Sequence, residues 1–212
     1  MTHAENARQW IARIEAARHL NAFTWFDPDA LLASAQAADR AQAEGHVAGL
    51  LAGVPVAVKD SIDTPPFPTT SGSRLLSELP ASQPAAVWAR LAAHGALLLG
   101  KTNMDELGCG GSSRSPRFGV VDNPLMPGHT AGGSSGGSAA ALAAGLAPMA
   151  LGSDTSGSLR IPASFCGVAA FRPSTAGGPR SYPTQGIVPL TAVFDTPGPM
   201  ARSVAELVRL HH

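Results

Sequence analysis

Between Ala131 and Arg160 the chain reads AGGSSGGSAAALAAGLAPMALGSDTSGSLR, two serine clusters on glycine-rich turns joined by a small-residue helix and a short apolar run. Glycine lets the backbone turn sharply and bring its N–H groups against a ligand. A serine hydroxyl on such a turn becomes a nucleophile once a neighbouring base takes its proton. Taken singly, either cluster reads as a flexible connection, the commoner use of Gly/Ser-rich sequence. The apolar segment between them disfavours that reading and points to a serine pocket.

Three motif readings compete for the chemistry. Gly95 to Thr102, GALLLGKT, matches the phosphate-binding pattern G-x-x-x-x-G-K-[ST]. Its context is wrong, because a phosphate loop follows a strand and opens a helix, whereas Ala-Leu-Leu-Leu reads as the strand itself. Gly132 to Gly136, GGSSG, satisfies the G-x-S-x-G elbow of α/β-hydrolases with Ser134 as nucleophile. The preceding NPLMPGHTA is loop-like, and beyond Ser134 the only histidines are His211 and His212. The third reading activates a serine without histidine, by a desolvated lysine that has lost its proton. Lys59 ends the apolar run Val54 to Val58 and sits where a strand would carry it into the core. From that segment alone, an ordinary snorkelling lysine paired with Asp60 or Asp63 is the stronger reading.

The elements that must position these groups follow from patterning. Ala4 to Leu20 carries Trp10, Ile11, Ile14 and Ala17 on one helical face, and a second helix runs from about Pro28 to Glu44, with Asp27 as N-cap and Gly45 as its stop. Residues 1–46 are therefore expected to form a helical wrap around a catalytic core over 47–212. Gly53 to Lys59 and Ala96 to Gly100 read as strands, with a helix over Pro84 to His94 between them. The rhythm continues through a helix over Ser138 to Gly145, a strand over Pro148 to Gly152 and a helix over Arg160 to Cys166. Alternation of this kind predicts an α/β fold, a central sheet covered by helices on both faces. The Gly-, Pro- and Ser-rich stretches 110–133 and 172–198 read as long functional loops.

Composition narrows the partners. The 212 residues are 44% hydrophobic, enough for a core, and 15 basic residues balance 15 acidic ones with no basic run. Nucleic acid and anionic membrane are thereby disfavoured as partners, and a small neutral ligand fits better. The amphipathic, charged N-terminal segment has no apolar signal core, no stretch is long enough to span a bilayer, and Cys109 and Cys166 lack CxxC spacing, so a cytoplasmic protein is expected. The histidines show no metal-ligand spacing, and neither metal nor cofactor is expected.

Taken together, GVPVAVKDSID (Gly53 to Asp63), GKTNMDELG (Gly100 to Gly108), GGSSGGSAAALAAG (Gly132 to Gly145) and GSDTSGSLRIPASFCG (Gly152 to Gly167) closely resemble the amidase signature family in letters, order and spacing. The resemblance implies a triad of Lys59, Ser134 and Ser158, with a cis peptide before Ser134, and hydrolysis of a small carboxamide through an acyl-enzyme. It further implies an oxyanion hole from the backbone of Thr155, Ser156, Gly157 and Ser158, and substrate contacts from Gly108, Ser134 and Arg160. Ser135 and Asp154 would support the loops, with Arg160 as a second brace, and Cys109 lies beside the implied acyl pocket. Ser156 stands where many relatives have glycine, and Ala170 and Arg172 replace a common glycine and lysine. Relatives continue well past a segment like Gly198 to Leu210, so a truncated fold is expected, with a complementing C-terminal chain or a homodimer as possible partners. The alternatives are an amidotransferase A-type subunit with glutaminase activity, to which KTNMDE is similar, and a catalytically silent remnant.

Overall fold

Local signals set both N-terminal helices. In the computed structural model, which describes residues 1–46, 49–175 and 182–211, α1 (His3–Ala16) opens with a reciprocal capping box between Thr2 and Glu5. The helix α2 (Pro28–Ala43) is capped by Asp27, whose carboxylate accepts the Ala30 N–H at 2.9 Å. Their buried faces, Trp10 and Ile14 on one and Leu31 and Ala35 on the other, join the same apolar cluster. The first 46 residues are more than a wrap, however. Between the helices, β1 (Phe23–Trp25) pairs antiparallel with β3 (Leu97–Thr102) and forms an edge of the main sheet. Three residues are too few for alternation to register in sequence.

The remaining strands are β2 (Pro55–Lys59), the two-residue β4 (Arg114–Ser115) and β5 (Gly119–Val120), β6 (Met149–Asp154), β7 (Ala169–Ala170) and β8 (Thr196–Ala201). The sheet runs β1-β3-β2-β6-β8-β7, with β3, β2 and β6 parallel and the outer pairings antiparallel, while β4 and β5 form a separate hairpin. Sequence patterning missed β8 because Pro197 and Pro199 cannot donate to a ladder. The C=O of Pro199 accepts from Phe171 N–H, on the β7 side. Because N–H and C=O of one strand residue point to the same neighbour, both missing donors fall on that side, where β7 pairs only with Met200 and Ala201. The ladder to β6 is left intact along its whole length.

The helices α3 (Ala86–Ala93), α4 (Gly136–Ala143), α5 (Arg160–Phe165) and α6 (Val204–His211) complete the layers. Alternation along the strands divides the core. Val56, Val58, Met149 and Leu151 face Trp88 of α3 and Leu210 of α6, whereas Ala57, Ala150 and Met200 face α4 and the N-terminal helices. The expected helix-covered α/β sheet is therefore present. The helix α4 lies unusually close to the sheet, with Gly137 donating to Asn103 C=O at 3.0 Å. A methyl group on Gly137 would overlap the backbone of Asn103 and Ala22, atoms that cannot move aside. Gly137→Ala is accordingly expected to lower stability by about 3 kcal/mol or more, measured as a urea midpoint shift.

Candidate functional site

Register decides which way the two lysines of the chain point. Lys59 pairs with Thr102 and Lys101 with Val58, so the two side chains leave opposite faces of the sheet. Lys101 points to the Val58 face, where its ammonium donates to Ile62 C=O at 2.6 Å, Pro68 C=O at 3.2 Å and Thr69 Oγ1 at 2.9 Å. It lies 3.8 Å from Asp60, which is the ion pair the ordinary reading had assigned to Lys59. Because Lys101 and Thr102 end a strand, GALLLGKT is not a phosphate loop.

Lys59 points to the α4 face and meets hydroxyls instead of a carboxylate. Its Nζ donates to Ser134 Oγ at 2.7 Å and to Ser153 Oγ at 2.9 Å. Burial pulls its pKa down from 10.5 to about 7, against the opposing fields of Asp105, Asp154 and Asp195. Ser134 lies on the turn into α4, and the Gly133–Ser134 peptide is cis. No strand precedes it and its basic neighbour is a lysine, so the histidine-dependent elbow is not formed.

Ser158 lies at the other turn, after β6. Its side chain and that of Ser134 line one cavity of about 120 Å³, together with Gly108, Thr155 and Asp195. No hydrogen bond fixes the Ser158 hydroxyl among the described residues. The turn is shaped by buried Asp154, which accepts Gly157 N–H at 2.8 Å and Leu159 N–H at 3.1 Å. Gly157 has φ +128°, a conformation that favours glycine. This arrangement corrects the expected oxyanion set, since the Gly157 N–H is already held by a carboxylate. The N–H groups of Thr155, Ser156 and Ser158 have no such partner among the described residues.

Arg160 also departs from the substrate-contact reading. Its guanidinium clasps Asp154, Nε to Oδ2 at 3.0 Å and Nη2 to Oδ1 at 3.1 Å, and it does not line the cavity. Arg172 adds a second cation to the same carboxylate at 3.0 Å. Burial pushes the Asp154 carboxyl up, but hydrogen bonds from Arg160, Leu159 and Gly157 outweigh it and leave the group below its ordinary range. Asp154→Ala would leave the N–H groups of Gly157 and Leu159 and the largely buried Arg172 without their carboxylate, while the more exposed Arg160 would turn to solvent. We expect a loss of about 3–5 kcal/mol in urea unfolding.

The neighbouring serines brace the turns. Ser135 donates to Ser153 C=O at 3.1 Å while its N–H holds Ser158 C=O, and Ser138 bonds Thr102 Oγ1 at 2.7 Å. Ser156 is exposed, which explains why a side chain fits there. Gly108 reaches the cavity with φ +76°, whereas Cys109 is exposed outside it. Sequence reasoning missed Ser153, Asp105 and Asp195. Asp105 stands inside the GKTNMDELG block, but Asp195 had no local signal. It accepts from Thr155 Oγ1 at 2.6 Å and from Leu190 N–H at 2.6 Å, tying the Ser158 turn to the far cavity wall. Among the described residues no group of three or more His, Cys, Asp or Glu is arranged to hold a metal, and no helix is long and apolar enough to cross a membrane.

A helix-covered mixed sheet thus carries a buried lysine and two serines on glycine-rich turns, an arrangement without the histidine of the G-x-S-x-G elbow. The family model described as Amidase matches residues 5–212, and the chain belongs to the amidase signature family. It is 48% identical over 206 residues to the A subunit of the glutamyl-tRNA(Gln) amidotransferase from Burkholderia pseudomallei strain 668, covering 97% of this chain and 40% of that protein. Among solved structures it is similar to the native peptide amidase from Stenotrophomonas maltophilia, with 35% identity, TM-score 0.88 and coverage of 99% of this chain and 44% of that one. A bacterial aryl acylamidase of the amidase signature family gives 31% identity and TM-score 0.88, over 100% of this chain and 44% of the other. The chain thus spans less than half the length of the relatives it matches.

Proposed function

We propose that this chain carries the catalytic half of an amidase that converts a small carboxamide to carboxylate and ammonia. The observation that carries the reading is the 2.7 Å bond from buried Lys59 to Ser134, on a cavity shared with Ser158. Ser158 Oγ attacks the amide carbonyl carbon as its proton passes to Ser134 Oγ, whose own proton passes to neutral Lys59. The N–H groups of Thr155, Ser156 and Ser158 receive the oxyanion. Collapse breaks the C–N bond, and the proton returns through Ser134 to the leaving ammonia. Water then attacks the ester by the same relay and frees Ser158. A lysine with a pKa near 7 is half neutral at that pH, a fraction an ordinary lysine lacks.

The 48% identity to an amidotransferase of this kind favours a second reading, in which the amide is that of glutamine and the ammonia goes to an acceptor. A partner is part of either reading. Phe165, Phe171 and Phe194 are exposed around the short β7 edge, the surface a complementing chain, further polypeptide or second copy would cover. Two free cysteines accord with a cytoplasmic setting. Intact-mass labelling with a fluorophosphonate tests the core of the proposal. A single adduct, forming faster as pH rises through about 7, is the expected result. An unlabelled chain would identify it as a silent remnant or as half of a site completed by another segment.

A further inference from the structure

One buried carboxylate behind the site takes no part in the chemistry above. Asp105 follows β3 and is 4% exposed. Its Oδ2 accepts Ser113 N–H at 2.8 Å and Ser112 N–H at 3.2 Å, while Oδ1 accepts Arg114 N–H at 3.1 Å and Ser112 Oγ at 3.4 Å. Side chains on Gly110 or Gly133 would overlap it, so the carboxylate is packed between two glycines, the second of which immediately precedes Ser134. The segment it gathers then reaches the relay turn. Ser113 Oγ accepts Gly136 N–H at 2.9 Å and donates to Ser134 C=O at 3.5 Å, touching the turn on both sides of Ser135.

We propose that Asp105 is a positioning residue for the reaction above, its carboxylate fixing, through Ser113, the turn from which Ser134 faces Lys59. This inference rests on the proposed lysine–serine chemistry. Both oxygens are surrounded by donors, so an amide in its place would set an NH2 against N–H groups. The charge is useful as well as the shape. Three carboxylates surround Lys59, namely Asp105, Asp154 and Asp195. Asp154 is paired with Arg160 and Arg172, whereas no ion pair engages Asp105 among the described residues. Its field therefore favours Lys59 in the protonated form it reaches after taking the proton from Ser134.

The chain has only two lysines, so the full chain with 13C-labelled lysine gives two ε-carbon signals, which Lys101→Met assigns. In Asp105→Asn we expect the fluorophosphonate adduct to form about 100-fold more slowly, and the Lys59 titration midpoint to move to lower pH while that of Lys101 stays. In Ser113→Ala we expect labelling slowed by about 10-fold and a displaced Lys59 signal at constant pH. Wild-type labelling and an unmoved Lys59 signal in either variant would overturn the proposal. If Asp105→Asn does not fold, Ser113→Ala alone decides. An unlabelled wild-type chain would count against the proposed function itself, and the Lys59 signals of the two variants would then decide the role of Asp105.

Discussion

Ser158→Ala is expected to take no fluorophosphonate adduct and to lose amide hydrolysis by at least about 10³-fold relative to the unaltered chain. The expectation is specific because four serines line the cavity, Ser61, Ser134, Ser153 and Ser158, and the Ser61 hydroxyl is fully buried. Ser134 and Ser153 are both engaged by the Lys59 ammonium. Of these four serines only Ser158 stands at the turn whose N–H groups can receive an oxyanion. The substitution removes one oxygen from a residue whose backbone, not side chain, braces Ser135, so stability should change by less than about 1 kcal/mol. An adduct that persists on Ser158→Ala would transfer the nucleophile role to another hydroxyl. Unaltered hydrolysis would remove the serine mechanism altogether.

Lys59→Met should separate activity from stability in opposite directions. Loss of the base is expected to slow labelling by about 10²–10⁴-fold. The folded chain holds the Lys59 proton more weakly than the unfolded chain, with a pKa near 7 against 10.5. Between those values the unfolded state carries the extra proton, so stability rises with pH across the window. At pH 7 the burden of burying the amine is about 4 kcal/mol, at about 1.4 kcal/mol for each pH unit. Methionine is similar in length and carries no charge. Its gain is offset by the Ser134 and Ser153 hydroxyls left without a donor, about 1–2 kcal/mol. A net stabilisation of about 2 kcal/mol at pH 7, shrinking as pH approaches 10.5, is the expected result in urea unfolding. A variant less stable than the parent at pH 7 would show that Lys59 is held for structure and not for its chemistry.

Much of the scaffold was legible in the chain because its signals are local. Asp27 before Pro28, the glycine after α2 and the apolar runs of β2, β3 and β6 need only neighbours in sequence to act, and the structure bears them out within a few residues. The strands β1 and β8 did not show, one for shortness and the other because two prolines are tolerated only when a particular flank of the strand is thinly paired. The serine turns were visible as glycine-rich clusters, and the resemblance of four ordered blocks named the residues on them.

By itself the sequence determined the residue types of the site, the helix-covered sheet and the family that both belong to. Tertiary structure decided where each lysine points. Lys59 and Lys101 each lie at the end of an apolar strand, and strand patterning alone does not separate them. A register that sets Lys59 opposite Thr102 and Lys101 opposite Val58 sends one amine to Ser134 and the other to Asp60. Tertiary structure also committed Gly157 and Arg160 to Asp154, away from substrate. For the lysines the physical reason is long-range pairing. Helix caps and strand runs are written in short-range preferences, whereas the face a side chain takes, and the partner it finds there, depend on strand pairing between segments some 40 residues or more apart in the chain.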